Sequence, residues 1–222
     1  MVREILTLGM VVVVGAVAWS AEQPVPASKG SGAVKFLALT SDDGPTEVTS
    51  RILDVLKTRC AKATFFPIAG NVRNDPAVMR RMAFEGHAVG NHTISHARLT
   101  EMSPDAARAE IEDAKELLTE VTGLKPTVFR RPYAALNDHV RDILRSNSMT
   151  IIMWSINPER FASSASAVRG RVVEAARDGD IVFLHDVSPR AAEATQEIVD
   201  ELSAKGFEFV TVPELIRRRG KF

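Results

Sequence analysis

Two adjacent carboxylates, Asp42 and Asp43, two histidines four positions apart, His92 and His96, and a later histidine, His185, are the residues of this chain best suited to chemistry. Histidines at that spacing can point the same way on a helical turn, and a carboxylate from a neighbouring loop completes a three-ligand site with positions open for water. Such a site suits a catalytic divalent metal, most simply Zn2+, which lowers the pKa of bound water towards ~7 and polarises a carbonyl. Co2+, Mn2+ or iron(II) fits the same donors, because ligand type alone selects weakly. One aspartate could bind the metal while its neighbour stays free as a general base; the plainer reading is an acidic turn capping the helix that starts near Thr46. Arg130 could hold the free carboxylate in its ionised form, or sit in an ordinary salt bridge. His185 is a candidate acid for a departing group, against a buried histidine satisfied by a carbonyl.

These residues need elements to bring them together. From Ala33 onward, short apolar runs read as buried strands: Val34 to Leu39, Ala63 to Ile68, Ala88 to Gly90, Thr127 to Phe129, Thr150 to Trp154, Ile181 to Leu184 and Phe207 to Val210. Amphipathic stretches of helical period separate them. Ser103-Pro104 marks a helix start that Gly123 ends, and Asp75-Pro76 opens another that Gly86 closes. Seven strand-then-helix units imply parallel strands with crossover helices, in a closed barrel or an open doubly wound sheet. In either, functional groups gather where strands end. The strands run into Ser41-Asp42-Asp43-Gly44-Pro45, Asn91 to His96, Phe129 to Tyr133, Trp154 to Pro158 and His185-Asp186, so five polar clusters emerge at one end of the sheet. No glycine fingerprint follows the first strand, which argues against a dinucleotide or phosphate site.

The 222 residues carry 28 basic and 28 acidic side chains, a formal net charge of zero. That balance lacks the basic excess that nucleic-acid binding requires. The single cysteine, Cys60, excludes an internal disulfide and a thiolate zinc module, and is expected to be a packed small residue. Ile5 to Trp19 is an almost continuous apolar run behind Arg3, followed by small residues. It reads as a secretory signal peptide over residues 1–20, with a Pro/Ser/Gly-rich linker over 21–32 and one domain over 33–222. The expected product is an exported, periplasmic or secreted monomer of the bacterial envelope, with no stable membrane span after processing. His87 and His139 are expected to be structural or surface residues, and Arg217 to Lys221 a solvated helix end.

Four motifs in order then carry a resemblance. Thr40-Ser41-Asp42-Asp43-Gly44-Pro45, Gly86 to His96 (GHAVGNHTISH), Phe129-Arg130-Arg131-Pro132-Tyr133 and Ile181 to Asp186 (IVFLHD) are similar to the TFDDGP, GHEIGNHTxxH, FRxPY and IVLLHD segments of the polysaccharide deacetylases, the NodB homology domain or carbohydrate esterase family 4. Lys62 to Phe66 (KATFF) matches a common companion segment, and the resemblance runs from about Val34 to Ile216. It implies a distorted (β/α)7 TIM-like barrel and metal-dependent removal of N-acetyl groups from an acetylated glycan of chitooligosaccharide or peptidoglycan type. Carried over, Asp42 would be the general base and Asp43, His92 and His96 the metal ligands. Arg130 would orient Asp42, the backbone N–H of Tyr133 would help hold the oxyanion, and His185 would be the general acid. One motif departs: where the family has a stretch like WDVDPxDW, this chain has Trp154 to Phe161 (WSINPERF). Arg160 stands where the family's second acid tunes the acid histidine, and would act in the opposite sense if it pointed inward; the alternative is Arg160 in solvent with Phe161 keeping the apolar wall. Esterase or non-carbohydrate amidase activity, or a metal-retaining glycan-binding protein, are the other readings.

Overall fold

The computed structural model describes residues 34–219; the expected signal segment and linker lie outside them. All seven expected βα units are present. The strands are β1 (Lys35–Asp42), β2 (Ala63–Phe66), β3 (Ala88–Val89), β4 (Val128–Phe129), β5 (Thr150–Ile151), β6 (Ile181–His185) and β7 (Phe207–Phe209). The helices are α1 (Glu47–Thr58), α2 (Pro76–Phe84), α3 (Pro104–Thr122), α4 (Asp138–Ser146), α5 (Ala165–Ala175), α6 (Pro189–Ala204) and α7 (Val212–Arg219).

Every strand pairing is parallel. One sheet has the order β3-β2-β1-β6, with β7 paired to the start of β1, and β4-β5 form a second. The isolated bridges Asn91↔Phe129 and Ile156↔Val182 join the two, so the ring is continued by single contacts where ladders stop. This is the distorted TIM-like barrel that the resemblance implies. Strand alternation sorts its contents. Leu37 and Leu39 pack outward in the main core under α1, α5 and α6, whereas Ala38 packs with Phe66, Val128, Ile152, Val210 and Leu215. Asp42 is two steps beyond Thr40 on the same face as Ala38, so it enters the interior at the strand's end.

The helix limits follow local chemistry. Ser103 caps α3 through the Ala106 N–H, and Gly123 ends it with the left-handed φ of 72° that a glycine accepts without a Cβ clash. Asp75 caps α2 through the Val78 N–H. At α1 the cap is Thr46, which forms a reciprocal pair with Thr49, so neither Asp42 nor Asp43 is spent on capping. Cys60 is exposed, not packed: it occupies a left-handed turn after α1 (φ 52°) that turns it away from the core.

His87 is structural, as expected. It lies edge-on to Phe65 at 5.6 Å, and its Nδ1 accepts a hydrogen bond from the Ala63 N–H at 3.2 Å, which fixes that nitrogen as unprotonated. Burial is the main influence that pushes its pKa down to about 4, helped by the Lys62 charge. The unfolded chain therefore takes up the proton first as pH falls. His87 contributes stability that is complete above pH ~6.5 and is lost as pH falls towards 4, about 3 kcal/mol in all. Urea unfolding at pH 7.5 and 4.5 checks this: His87→Asn is expected to show a smaller loss across that interval than the native chain.

Candidate metal centre and active site

Asp43 follows the last residue of β1 in a left-handed conformation (φ 75°). The adjacent carboxylates would diverge on an extended chain, but this turn swings Asp43 back so that both reach one place. Asp43 Oδ1 lies 3.5 Å from His92 Nε2 and 3.6 Å from His96 Nε2, and Asp42 Oδ2 lies 3.8 Å from His92 Nε2.

The two histidines do not share a helical turn. Residues 92–98 form an irregular loop in which Thr93 and His96 have φ of 66° and 60°. Asn91 Oδ1 accepts from the Thr93 N–H, and Thr93 Oγ1 accepts from the His96 N–H. Glu110 on α3 accepts from the Ile94 and Ser95 N–H groups and from the Ser95 hydroxyl. This local hydrogen bonding holds left-handed non-glycine residues that would otherwise cost about 1–3 kcal/mol each.

The donor chemistry suits a divalent cation. His92 Nδ1 lies 2.8 Å from the Arg130 carbonyl, which can only accept, so the proton sits on Nδ1 and the Nε2 lone pair faces the carboxylates. Asp43 Oδ1 is buried without a hydrogen-bond partner. Such an acceptor is costly to bury unless something binds it. Burial is the largest single influence on the Asp43 carboxyl and pushes its pKa up; the facing imidazoles of His92, His185 and His96 together outweigh it, leaving it below the usual range. Burial, with the nearby His92, holds His96 below its ordinary value, in the neutral form a ligand requires. Asp43, His92 and His96 thus offer three ligand atoms within 4.8 Å of one another.

Arg130, at the end of β4, is fully buried and spans the barrel. Its Nη1 donates to Asp42 Oδ1 at 2.8 Å and to Thr40 Oγ1 at 2.7 Å, and the guanidinium lies over the Phe66 ring at 4.3 Å. Burial raises the Asp42 pKa, and the charges of Arg130 and His92 offset that only in part. A carboxylate so placed is a stronger base than one in water. Tyr133 sits in a left-handed turn (φ 54°), 57% exposed, its ring edge-on to His96 at 4.7 Å with Arg98 stacked 4.3 Å above.

At the end of β6, His185 Nε2 lies 4.0 Å from Asp43 Oδ2, and its Nδ1 is 2.5 Å from Glu159 Oε2. Burial opposes the charged imidazolium, but the Glu159 hydrogen bond and charge, with Asp42 and Asp43 beyond, outweigh it and raise the pKa. The acid that sequence comparison sought at position 160 is therefore present one residue earlier. Arg160 does not reach inward; it is exposed, its guanidinium 5.0 Å from the Phe161 ring. Nor does Phe161 form the apolar wall, being 82% exposed. Trp154 and Phe183 supply that wall, stacked at 4.0 Å with Phe183 edge-on to His185. Glu159, Glu110 and Thr40 were not marked as site residues in the sequence; only the place of Glu159 inside the divergent motif was a signal.

Gly44 ties the β1 and β6 loops together. A Cβ there would lie 2.2 Å from Asp186 Oδ2, a buried carboxylate bonded by the Thr49 hydroxyl. Gly44→Ala is expected to cost about 1–3 kcal/mol through overpacking and to weaken metal retention, since Asp43 is its neighbour. Thermal melts and metal content after dialysis check this.

A barrel with an Asp-His-His cluster at the carboxyl ends of its strands is the architecture of a carbohydrate deacetylase. Residues 29–152 match the polysaccharide deacetylase family model, and the chain belongs to that family. It is similar to the peptidoglycan-N-acetylmuramic acid deacetylase PdaC of Bacillus subtilis (strain 168), 36% identical over 183 residues, which cover 82% of this chain and 38% of that protein. The chain thus spans well under half the length of that relative. The solved PdaC structure matches with a TM-score of 0.78 at 35% identity, over 83% of this chain and 91% of that one. A chitooligosaccharide deacetylase of Rhizobium leguminosarum bv. trifolii is 31% identical over 206 residues, 86% of this chain and 96% of that protein. The structure of a family 4 acetyl xylan esterase from Clostridium thermocellum, in complex with a cobalt ion, is 32% identical with a TM-score of 0.79, over 85% of this chain and 93% of that one.

Proposed function

We propose that this chain is a metal-dependent hydrolase that removes N-acetyl groups from an acetylated glycan of peptidoglycan or chitooligosaccharide type. The observation that carries the reading is the convergence of Asp43, His92 and His96 beside a buried, arginine-bound Asp42 and a carboxylate-bound His185. Asp43 Oδ1, His92 Nε2 and His96 Nε2 would hold the ion, Zn2+ by preference with Co2+ or Mn2+ as substitutes. The bound ion would supply a Lewis acid and lower the pKa of water.

The chain's own residues do the rest. Asp42 Oδ2, free of Arg130, takes a proton from the attacking water while Oδ1 stays fixed by the guanidinium. The Tyr133 N–H would donate to the oxygen of the acetamide as negative charge builds there. His185 Nε2 gives its proton to the departing amine, and Glu159 holds the ring in the tautomer and charge state that this needs. Trp154 and Phe183 exclude water beside His185. Among the described residues no helix is long and apolar enough to cross a membrane. An exported enzyme acting in the bacterial envelope accords with the apolar N-terminal run and with the peptidoglycan-directed names of relatives; it is expected to act as a monomer.

Acetate release from N-acetylated chitooligosaccharides and peptidoglycan, from an O-acetylated xylan and from a small non-glycan acetamide tests the reading. Faster release from the N-acetylated glycans is expected. Preference for the xylan ester would favour the esterase reading that the acetyl xylan esterase likeness keeps open. Binding without release would identify a glycan-binding protein.

A further inference from the structure

A groove of about 230 Å3 opens on the Glu159 side of His185, lined by Glu159, Ala162, His185, Val187, Ser188 and Arg190. Its surroundings are cationic. Elsewhere Arg59, Arg81, Arg141, Arg145, Arg169 and Arg218 are each held by a carboxylate. Arg160, Arg171 and Arg190 are exposed and have no carboxylate partner among the described residues. All three are nevertheless tied to the short stretch 159–162. Arg190 donates to the Ala162 carbonyl at 2.9 Å, Arg171 donates to the Arg160 carbonyl at 2.8 Å, and Arg160 packs on Phe161. A carbonyl occupies one N–H of a guanidinium that has five, so charge and donors remain available. The one acid lining the groove, Glu159, is engaged by His185.

We propose that this groove is a subsite for a carboxylate-bearing sugar next to the residue that loses its acetyl group, with Arg190 as the direct contact and Arg171 and Arg160 supplying the surrounding positive charge. The inference rests on the glycan-deacetylase reading and narrows its substrate class. A largely neutral chitin-type chain offers such a groove nothing to pair, whereas N-acetylmuramic acid carries a lactyl carboxylate. Guanidinium groups suit that group because they can bind a carboxylate through two parallel N–H bonds.

The test is binding, which does not depend on turnover. Calorimetry with the full chain compares a peptide-free N-acetylglucosamine–N-acetylmuramic acid tetrasaccharide, the same tetrasaccharide with its carboxyls reduced to alcohols, and chitotetraose. The native chain is expected to bind the carboxylate form about tenfold more tightly than the reduced form, a preference typical of charge-assisted hydrogen bonds at a partly exposed site. Arg190→Gln with Arg171→Gln should abolish that ratio, while Arg51→Gln with Arg80→Gln, an equal charge change on exposed residues of α1 and α2, should preserve it. Equal native affinity for the carboxylate and reduced forms would overturn the proposal. So would a double variant that keeps the ratio, or one that weakens all three ligands by one factor. Acetate release is measured in parallel: preferential binding with no release overturns the deacetylase reading and leaves the anion subsite standing.

Discussion

Asp42→Asn is expected to lower kcat by about 10^3-fold or more, the range for losing a positioned general base, while metal content stays at one equivalent. The amide cannot accept the proton of the attacking water, but its oxygen can still accept from Arg130 Nη1, so the geometry around it is kept. The substitution carries a second cost. Arg130 is fully buried, and without Asp42 its charge is matched only by the Thr40 hydroxyl and the Ile152 and Met153 carbonyls. Leaving a buried charge without its counter-ion typically costs about 3–5 kcal/mol, so a lower melting temperature is expected as well. Circular dichroism at the assay temperature separates loss of chemistry from loss of fold. Metal loss with a folded protein would mean that Asp42, not Asp43, is the ligand.

Glu159→Gln is expected to lower kcat by about 10- to 100-fold, up to the lower end of what a positioned general acid contributes, with metal content again unchanged. The pH dependence gives the sharper readout. Glu159 is the chief reason the His185 pKa is raised against the pull of burial. With a neutral amide in its place that support is lost and the pKa falls. His185 acts while protonated, so the alkaline limb of the pH–rate profile should move to lower pH. Arg160→Asp should leave that limb in place, because Arg160 faces solvent. An unmoved limb in Glu159→Gln, or a moved one in Arg160→Asp, would return the tuning role to position 160.

The barrel was legible because each of its units announces itself locally. Ser103-Pro104 and Asp75-Pro76 start helices for stereochemical reasons, Gly123 and Gly86 end them, and the runs between bury on both faces as parallel strands do. The polar clusters could be assigned to one mouth because parallel strands all end there. What escaped depends on contacts between distant segments. Spacing of four suggested a helical turn for His92 and His96, but the turn is shaped by Asn91, Thr93 and Glu110, the last of which belongs to α3. Alignment put an arginine opposite His185, and only the backbone path through Pro158 brings Glu159 there instead. Phe161 and Cys60, apolar by type, were expected inside, yet both occupy left-handed turns that direct them outward. A residue's type limits its preference; the local backbone decides which way it faces.

Asp43, His92 and His96 are expected to hold a metal without which the chain does not deacetylate. The most direct measurement follows acetate release from N-acetylated chitooligosaccharide or peptidoglycan by the chelator-stripped chain while Zn2+ is added back and metal content is recorded. Release is expected to be absent in the stripped chain and to return in proportion to occupancy, reaching its plateau at one equivalent. Full release by the stripped chain, or none from either glycan at one bound equivalent, would contradict it.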